Sequence, residues 1–173
     1  MKDGRGNICP VTIIMPKLAM MAKEAAEANN TDVVEEFMKL LDKKIDEAKD
    51  MLIERYELIC SQPPSSAKFM YENNLMAGYD GKDTRSALKH GTLSVGQIGL
   101  AETLQILIQC DHTEERGMVL AKRIEELYRD RCKEFKEKYK LNFGVYYTPR
   151  FVGGLRVILS TNPLLNGRNV INW

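Results

Sequence analysis

Glu102 has the side chain best placed to do chemistry. It lies in residues 92–108, which read as a strand running into a helix. The switch falls between Gly96 and Gly99, two glycines three apart that let the backbone turn tightly. Glu102 follows one turn into the helix, beside the carboxyl end of the strand, where α/β folds usually meet their ligands. A first-turn glutamate is also what the helix dipole favours, with or without a ligand. Gln97 and Ser94 stand on the same strand, Ser94 as a structural residue. Asn7 sits beside glycines and suits a turn.

Other chemistry is thinly represented. The four cysteines, at 9, 60, 110 and 132, lack Cys-x-x-Cys spacing, so neither a zinc ribbon nor a redox dithiol is expected. His90 and His112 are the only histidines; His112 and Cys110 are two residues apart, short of the four ligands of a structural zinc. No metal site is expected. With no signal-peptide core at the amino terminus, the thiols are expected to be free in a reducing, cytoplasmic setting.

The chain has 173 residues, enough for one ordinary domain with a sizeable core. Its net charge of +1 gives no general pull toward nucleic acid or an acidic membrane, and no apolar run reaches a membrane span. Residues 1–7 read as loop. Residues 11–15 are apolar without alternation, as in a parallel strand buried on both faces. Pro16 suits a first helical turn, a helix over 17–28 follows, and Asn29 and Asn30 end it.

Asp32 and Glu35 can form a reciprocal cap for the clearest helix of the chain. Val33, Phe37, Leu41, Ile45, Ala48, Leu52 and Tyr56 give its stripe, Lys49 and other charges its far side, and Pro63 and Pro64 its stop. Residues 67–82 read as a packed loop, and Asp83 caps a short helix through Lys89 and His90. Asp111 or Thr113 caps a last long helix to about Tyr139, with Met118, Val119, Ile124, Tyr128 and Phe135 in its buried stripe. Residues 143–147 form a third strand. The alternation of strand and long helix predicts an α/β layout with right-handed crossovers, a three-stranded slab that suggests part of something larger. Residues 150–173 differ in character. They hold three arginines but no Lys, Asp or Glu, and could form a hairpin over 151–160 with a turn at Asn162 and Pro163.

Three motifs, in order, carry a resemblance. Gly4-Arg5-Gly6-Asn7 leads to Pro10-Val11-Thr12-Ile13 and Pro16. The second is His90-Gly91-Thr92-Leu93-Ser94-x-Gly96-x-Ile98-Gly99-Leu100-x-Glu102-Thr103, and the third is Asn142-Phe143-Gly144-Val145-Tyr146-x-Thr148-Pro149. Together they resemble the anaerobic (class III) ribonucleoside-triphosphate reductases. The resemblance divides the chain into 1–149, a segment of the reductase barrel, and 150–173, an atypical tail.

The resemblance implies a partial barrel of the glycyl-radical-enzyme type, here about three strands with long amphipathic helices. In that family a thiyl radical abstracts a ribose hydrogen, the 2′-hydroxyl leaves as water and a reductant, often formate, restores the ring. It implies substrate-binding roles for Asn7, whose amide can donate and accept to a ribose diol, and for Gln97, which stands where many members carry tyrosine. It implies a catalytic role for Glu102, moving a proton or holding a hydroxyl. It implies a ribonucleoside triphosphate substrate, a homodimeric parent, and a glycyl radical installed by a separate iron–sulfur and S-adenosylmethionine activating enzyme. Cys9 is expected to be a small buried thiol, since the family's radical cysteine lies in a Met-Gly-Cys-Arg type motif that this chain does not contain. Alone, the chain is expected to be inactive. A second expectation is a stand-alone helical interaction module; a third, compatible with the first, is a remnant whose tail comes from a disrupted reading frame.

Overall fold

The structure, a computed structural model, describes residues 6–147 and 171–172. Strand β1 (Asn7–Ile14) leads into helix α1 (Met15–Asn29) and the long helix α2 (Val33–Cys60). A 3₁₀ turn (Pro64–Ala67) and two short helices, α3 (Lys68–Glu72) and α4 (Thr84–Leu88), lead to β2 (Thr92–Ile98). Helices α5 (Leu100–Ile108) and α6 (Glu115–Tyr139) then connect to β3 (Asn142–Tyr147), and β4 (Ile171–Asn172) is a two-residue strand. The sheet order is β3-β2-β1-β4. β2 pairs in parallel with β1 and with β3, whereas β4 runs antiparallel to β1 beside Thr12 and Ile13. The α/β layout with a three-stranded parallel sheet is thus as expected. The hairpin expected over 151–160 lies outside the described residues.

The helices pack one face of this sheet. Val11, Ile13, Leu93, Val95 and Phe143 share a core with Leu18, Phe37, Leu41, Ile45, Leu52, Leu104, Ile124, Tyr128 and Phe135. The double-sided burial expected of the first strand holds on that face only: Val11 and Ile13 are fully buried, Thr12 and Ile14 are half-buried, and Pro10 is exposed.

Local signals set most element ends. The Asp32 carboxylate accepts from the Glu35 amide at 2.9 Å, as its position predicts, but the cap is not reciprocal: the Glu35 carboxylate turns instead to Arg123, at 2.9 Å. Pro16 lies in the first turn of α1, and Asn30, with φ 53°, closes that helix in the left-handed region. Asp83 caps α4 through the Arg85 amide at 2.9 Å, but the helix stops at Leu88, short of His90.

Four expectations are corrected. Gly96 does not turn the chain: it lies inside β2, where a Cβ would come within 2.7 Å of Thr12 Oγ1, and Gly99 alone makes the turn, at φ +83°. Neither Asp111 nor Thr113 caps α6. The Asp111 carboxylate instead accepts from the Thr113 amide at 2.8 Å, and the helix begins at Glu115 without a side-chain cap. Met118 and Val119 are exposed because the buried side of α6 runs through Gly117, Leu120, Ala121 and Ile124 and leaves these two facing outward. In the 67–82 loop only part is packed: Tyr71 is buried edge-on to Tyr79, while Phe69, Met70 and Leu75 are exposed.

Lys49 is a fifth correction. It is buried where α6 passes α2. Its ammonium reaches Asp50 at 2.8 Å and Asp46 at 3.3 Å and lies over the Phe135 and Tyr139 rings, 5.7 and 5.6 Å from their centroids. Burial works against this charge, yet hydrogen bonds to Asp50, Asp46 and Tyr139 outweigh it and hold Lys49 above the ordinary lysine range.

Candidate functional site

Strand alternation sorts the sheet into two chemically different faces. Leu93, Val95 and Gln97 of β2 stand in register with Cys9, Val11 and Ile13 of β1, toward the helices. Thr92, Ser94, Gly96 and Ile98 take the opposite face. There the Thr12 side chain fills the space that a Cβ at Gly96 would need, and the Thr92 methyl lies 3.2 Å from a Cβ position at Gly144. Besides these small and polar groups the face carries Pro10, Ile14, Ile98 and the exposed Tyr146, and Ser94 and Gly96 on it are buried.

Asn7 joins that face through an irregularity. Asn7 is in register with Thr92, but the next pair is Cys9 with Leu93, so β1 spends one extra residue, Ile8. In an unbroken strand, residues 7 and 9 would share a face. The bulge breaks that rule: Cys9 is 7% exposed among core residues, and Asn7 is exposed beside Thr92. Asn142 of β3 is the next residue in the row, and its Nδ2 donates to Thr92 Oγ1 at 2.7 Å. The Thr92 amide donates to the Gly6 carbonyl at 2.7 Å, which ties the row to the loop before β1.

Glu102 lies elsewhere. It is half-buried in the first turn of α5, with Oε2 3.5 Å from the position that a Cβ at Gly99 would occupy. Gly99 is needed twice over, by its positive φ and by the Pro16 ring, which a Cβ would meet at 2.5 Å. Glu102 therefore stands over the junction of the carboxyl ends of β1 and β2. Five register positions separate Thr92 from Gln97, roughly 16 Å along the strand. The structure does not bring Asn7 and Glu102 together; they mark opposite ends of one sheet.

Gln97 is near Glu102 in sequence but turned to the helix side. It is 4% exposed, and its Nε2 donates to the Glu125 carboxylate of α6. Its Oε1 is buried with no hydrogen-bond partner among the described residues. Sequence reasoning did not single out Glu125, and nothing local could have: 28 residues separate the pair. Thr92 and Asn142 were also given no role, although alternation from Leu93 and Phe143 puts both on the face opposite the core.

The cysteines are packing residues, as expected: all four are buried and free. Burial pushes the Cys9 thiol up, only partly offset by Arg55, and pushes Cys132 up to about 11. Ser94 is buried too, in keeping with a structural role. Among the described residues no group of three or more His, Cys, Asp or Glu is arranged to hold a metal ion, and no helix is long and apolar enough to cross a membrane. A shallow groove of about 470 Å³ lies away from the sheet, between the start of α2, the end of α5 and the start of α6. Val34, Ile108, Val119 and Leu120 line it, with Arg116 and Arg123 at its edge.

Comparison with known proteins bears on this geometry. The profile of the family described as "Anaerobic ribonucleoside-triphosphate reductase" matches residues 1–150, which include all three parallel strands. The anaerobic ribonucleoside-triphosphate reductase of Escherichia coli K12 is 29% identical over 157 residues, covering 85% of this chain and 20% of that protein. The protein of the same name from Salmonella typhimurium LT2 is 27% identical over the same length, with the same coverage. The chain thus spans about a fifth of the length of the curated relatives it matches.

Proposed function

Because the chain belongs to the anaerobic ribonucleoside-triphosphate reductase family, we propose that it forms part of the catalytic barrel of a reductase converting ribonucleoside triphosphates to deoxyribonucleotides. The observation that carries this reading is the family match over residues 1–150, a span that includes the strands bearing Asn7 and Gln97 and also Glu102. The two-faced sheet supports it. A parallel sheet is ordinarily covered on both faces, and here part of the second face, at Thr12, Thr92, Gly96 and Gly144, is glycine and short polar groups against which a flat, hydroxylated ligand can lie close to backbone.

In this reading a glycyl radical, installed by an activating enzyme that holds the iron–sulfur cluster and S-adenosylmethionine, supplies the hydrogen-atom chemistry when present. The residues of this chain bind, orient and move protons. The Asn7 amide accepts from one ribose hydroxyl and donates to the other, fixing the sugar on the small-residue face. Glu102, at the other end of the sheet, is out of reach of hydroxyls held at Asn7, and its proposed catalytic role is to relay a proton at the strand ends. Gln97 serves the site by pinning the end of β2 to α6 through Glu125.

The chain alone is proposed to be inactive, because its four cysteines are packed in the interior, where none presents a thiol to a substrate. The parent is proposed to be a homodimer. The test is an anaerobic assay with activating enzyme, reductant and the four ribonucleoside triphosphates. Deoxyribonucleotide from the native protein carrying this chain is expected, with a drop of about a hundredfold or more for Glu102→Gln. No product from the native protein overturns the reductase reading. Product from the 173-residue chain alone overturns the inactivity reading.

A second reading, a helical interaction module, draws on the exposed Met118 and on Val119 at the groove lined by Val34 and Ile108. Stoichiometric binding of the purified chain to a reductase, abolished by Val119→Asp, is its expected signature; a chain that stays monomeric beside that reductase rules it out.

A further inference from the structure

We infer that Thr92 and Asn142 complete the ribose-gripping row begun by Asn7, three polar side chains set across three strands to hold the vicinal hydroxyls of the substrate sugar. This rests on the reductase reading and adds two residues to it.

Three features of the structure point the same way. The register puts Asn7, Thr92 and Asn142 side by side at the amino end of the sheet, at neighbouring-strand spacings of roughly 5 Å. A row at that pitch suits two oxygens on adjacent ring carbons.

The bulge at Ile8 is the second feature. Without the extra residue, Asn7 would share the core side with Cys9, and a carboxamide there would need buried partners. The bulge moves it to the face that Thr92 occupies. Bulges cluster beside functional sites because they re-aim single side chains in this way.

The third feature is the preset hydroxyl of Thr92. Its methyl rests against the space left by Gly144, and its oxygen accepts from Asn142 Nδ2 at 2.7 Å. With that lone pair engaged, its own hydrogen is free to donate. Asn142 in turn keeps its Oδ1 as an acceptor and the second hydrogen of its amide as a donor. The row thus presents an amide at Asn7, a donor at Thr92 and an acceptor at Asn142, all held by the strands, so the site loses little freedom when it binds.

A purely structural tie between β2 and β3 predicts different behaviour, and the experiment separates the two. In the activated native protein, KM for a ribonucleoside triphosphate is measured for wild type, Thr92→Val, Thr92→Ser and Asn142→Leu. The inhibition constant of the matching 2′,3′-dideoxynucleotide, which lacks both hydroxyls, is measured alongside. Thr92→Val keeps the shape and deletes the hydroxyl. The expected result is a KM raised about tenfold in Thr92→Val and Asn142→Leu, with the dideoxy constant unchanged and Thr92→Ser close to wild type. KM and the dideoxy constant rising together, or neither moving while wild type turns over, overturns the inference and leaves the reductase reading intact. A wild-type protein that forms no deoxyribonucleotide overturns the reductase reading first, and the inference with it. If Asn142→Leu does not fold, Thr92→Val against Thr92→Ser decides the question alone.

Discussion

The Gln97 amide nitrogen donates to the Glu125 carboxylate, joining the end of the central strand to the middle of α6. Gln97 is almost wholly buried, so removing Glu125 leaves an amide donor without its acceptor. Glu125→Ala is expected to cost about 1–3 kcal/mol. Replacing both residues at once, as Gln97→Leu with Glu125→Leu, should cost less than the sum of the single changes. Urea unfolding of the four proteins in a double-mutant cycle checks this, and strict additivity would show that the pair is not coupled.

Gly99 tests the junction beneath Glu102. An alanine there must adopt φ +83° and place its methyl against the Pro16 ring. The left-handed conformation and the overpacking together predict a loss of roughly 2–4 kcal/mol for Gly99→Ala, read from the denaturation midpoint. Gly96→Ala is the informative companion. Its methyl would meet the Thr12 side chain, not a rigid ring, so a smaller loss is expected.

Lys49 separates charge from packing. Its stem is buried against α6, and its ammonium lies over two rings beside half-exposed and exposed acids. Lys49→Met keeps most of the stem and is expected to cost less than about 1 kcal/mol, whereas Lys49→Ala should cost about 2 kcal/mol. Equal losses in the two variants would assign the stabilisation to the charge.

Cys132 gives a pH dependence. Its folded thiol is held up to about 11 by burial, while an unfolded thiol titrates near 8.5. Between those values the unfolded chain gives up a proton that the folded one keeps, so the folded state loses ground as pH rises. The contribution is fully present below about pH 8.5 and fades toward pH 11, a loss on the order of 3 kcal/mol in all. Cys9 and Cys60, also raised by burial, act in the same direction. Cys132→Ala should therefore show a shallower decline of stability with pH than wild type, measured by urea unfolding at pH 7.5, 8.5 and 9.5.

Much of this protein was legible in the chain because the physics involved is local. The Asp32 cap needs only the residue three ahead, the Pro16 start of α1 needs only a missing amide hydrogen, and the stripe from Phe37 to Tyr56 needs only helical period. Ordered motifs sufficed for the family. What the sequence left open depends on residues far apart. Lys49 reads as a surface lysine until α6 brings Phe135 and Tyr139 over it. Alternation from Leu93 and Val95 puts Gln97 on the helix side, but nothing local supplies Glu125, 28 residues on, as its partner. Asn7 opens its strand and Glu102 follows its own, and parallel pairing of the two strands fixes them at opposite ends of the sheet. The bulge at Ile8 is a matter of register between two strands nearly eighty residues apart, and no pattern within either strand contains it. Local sequence determined the elements and the family; tertiary pairing alone decided which side chains share a face, because that choice turns on a one-residue shift in register.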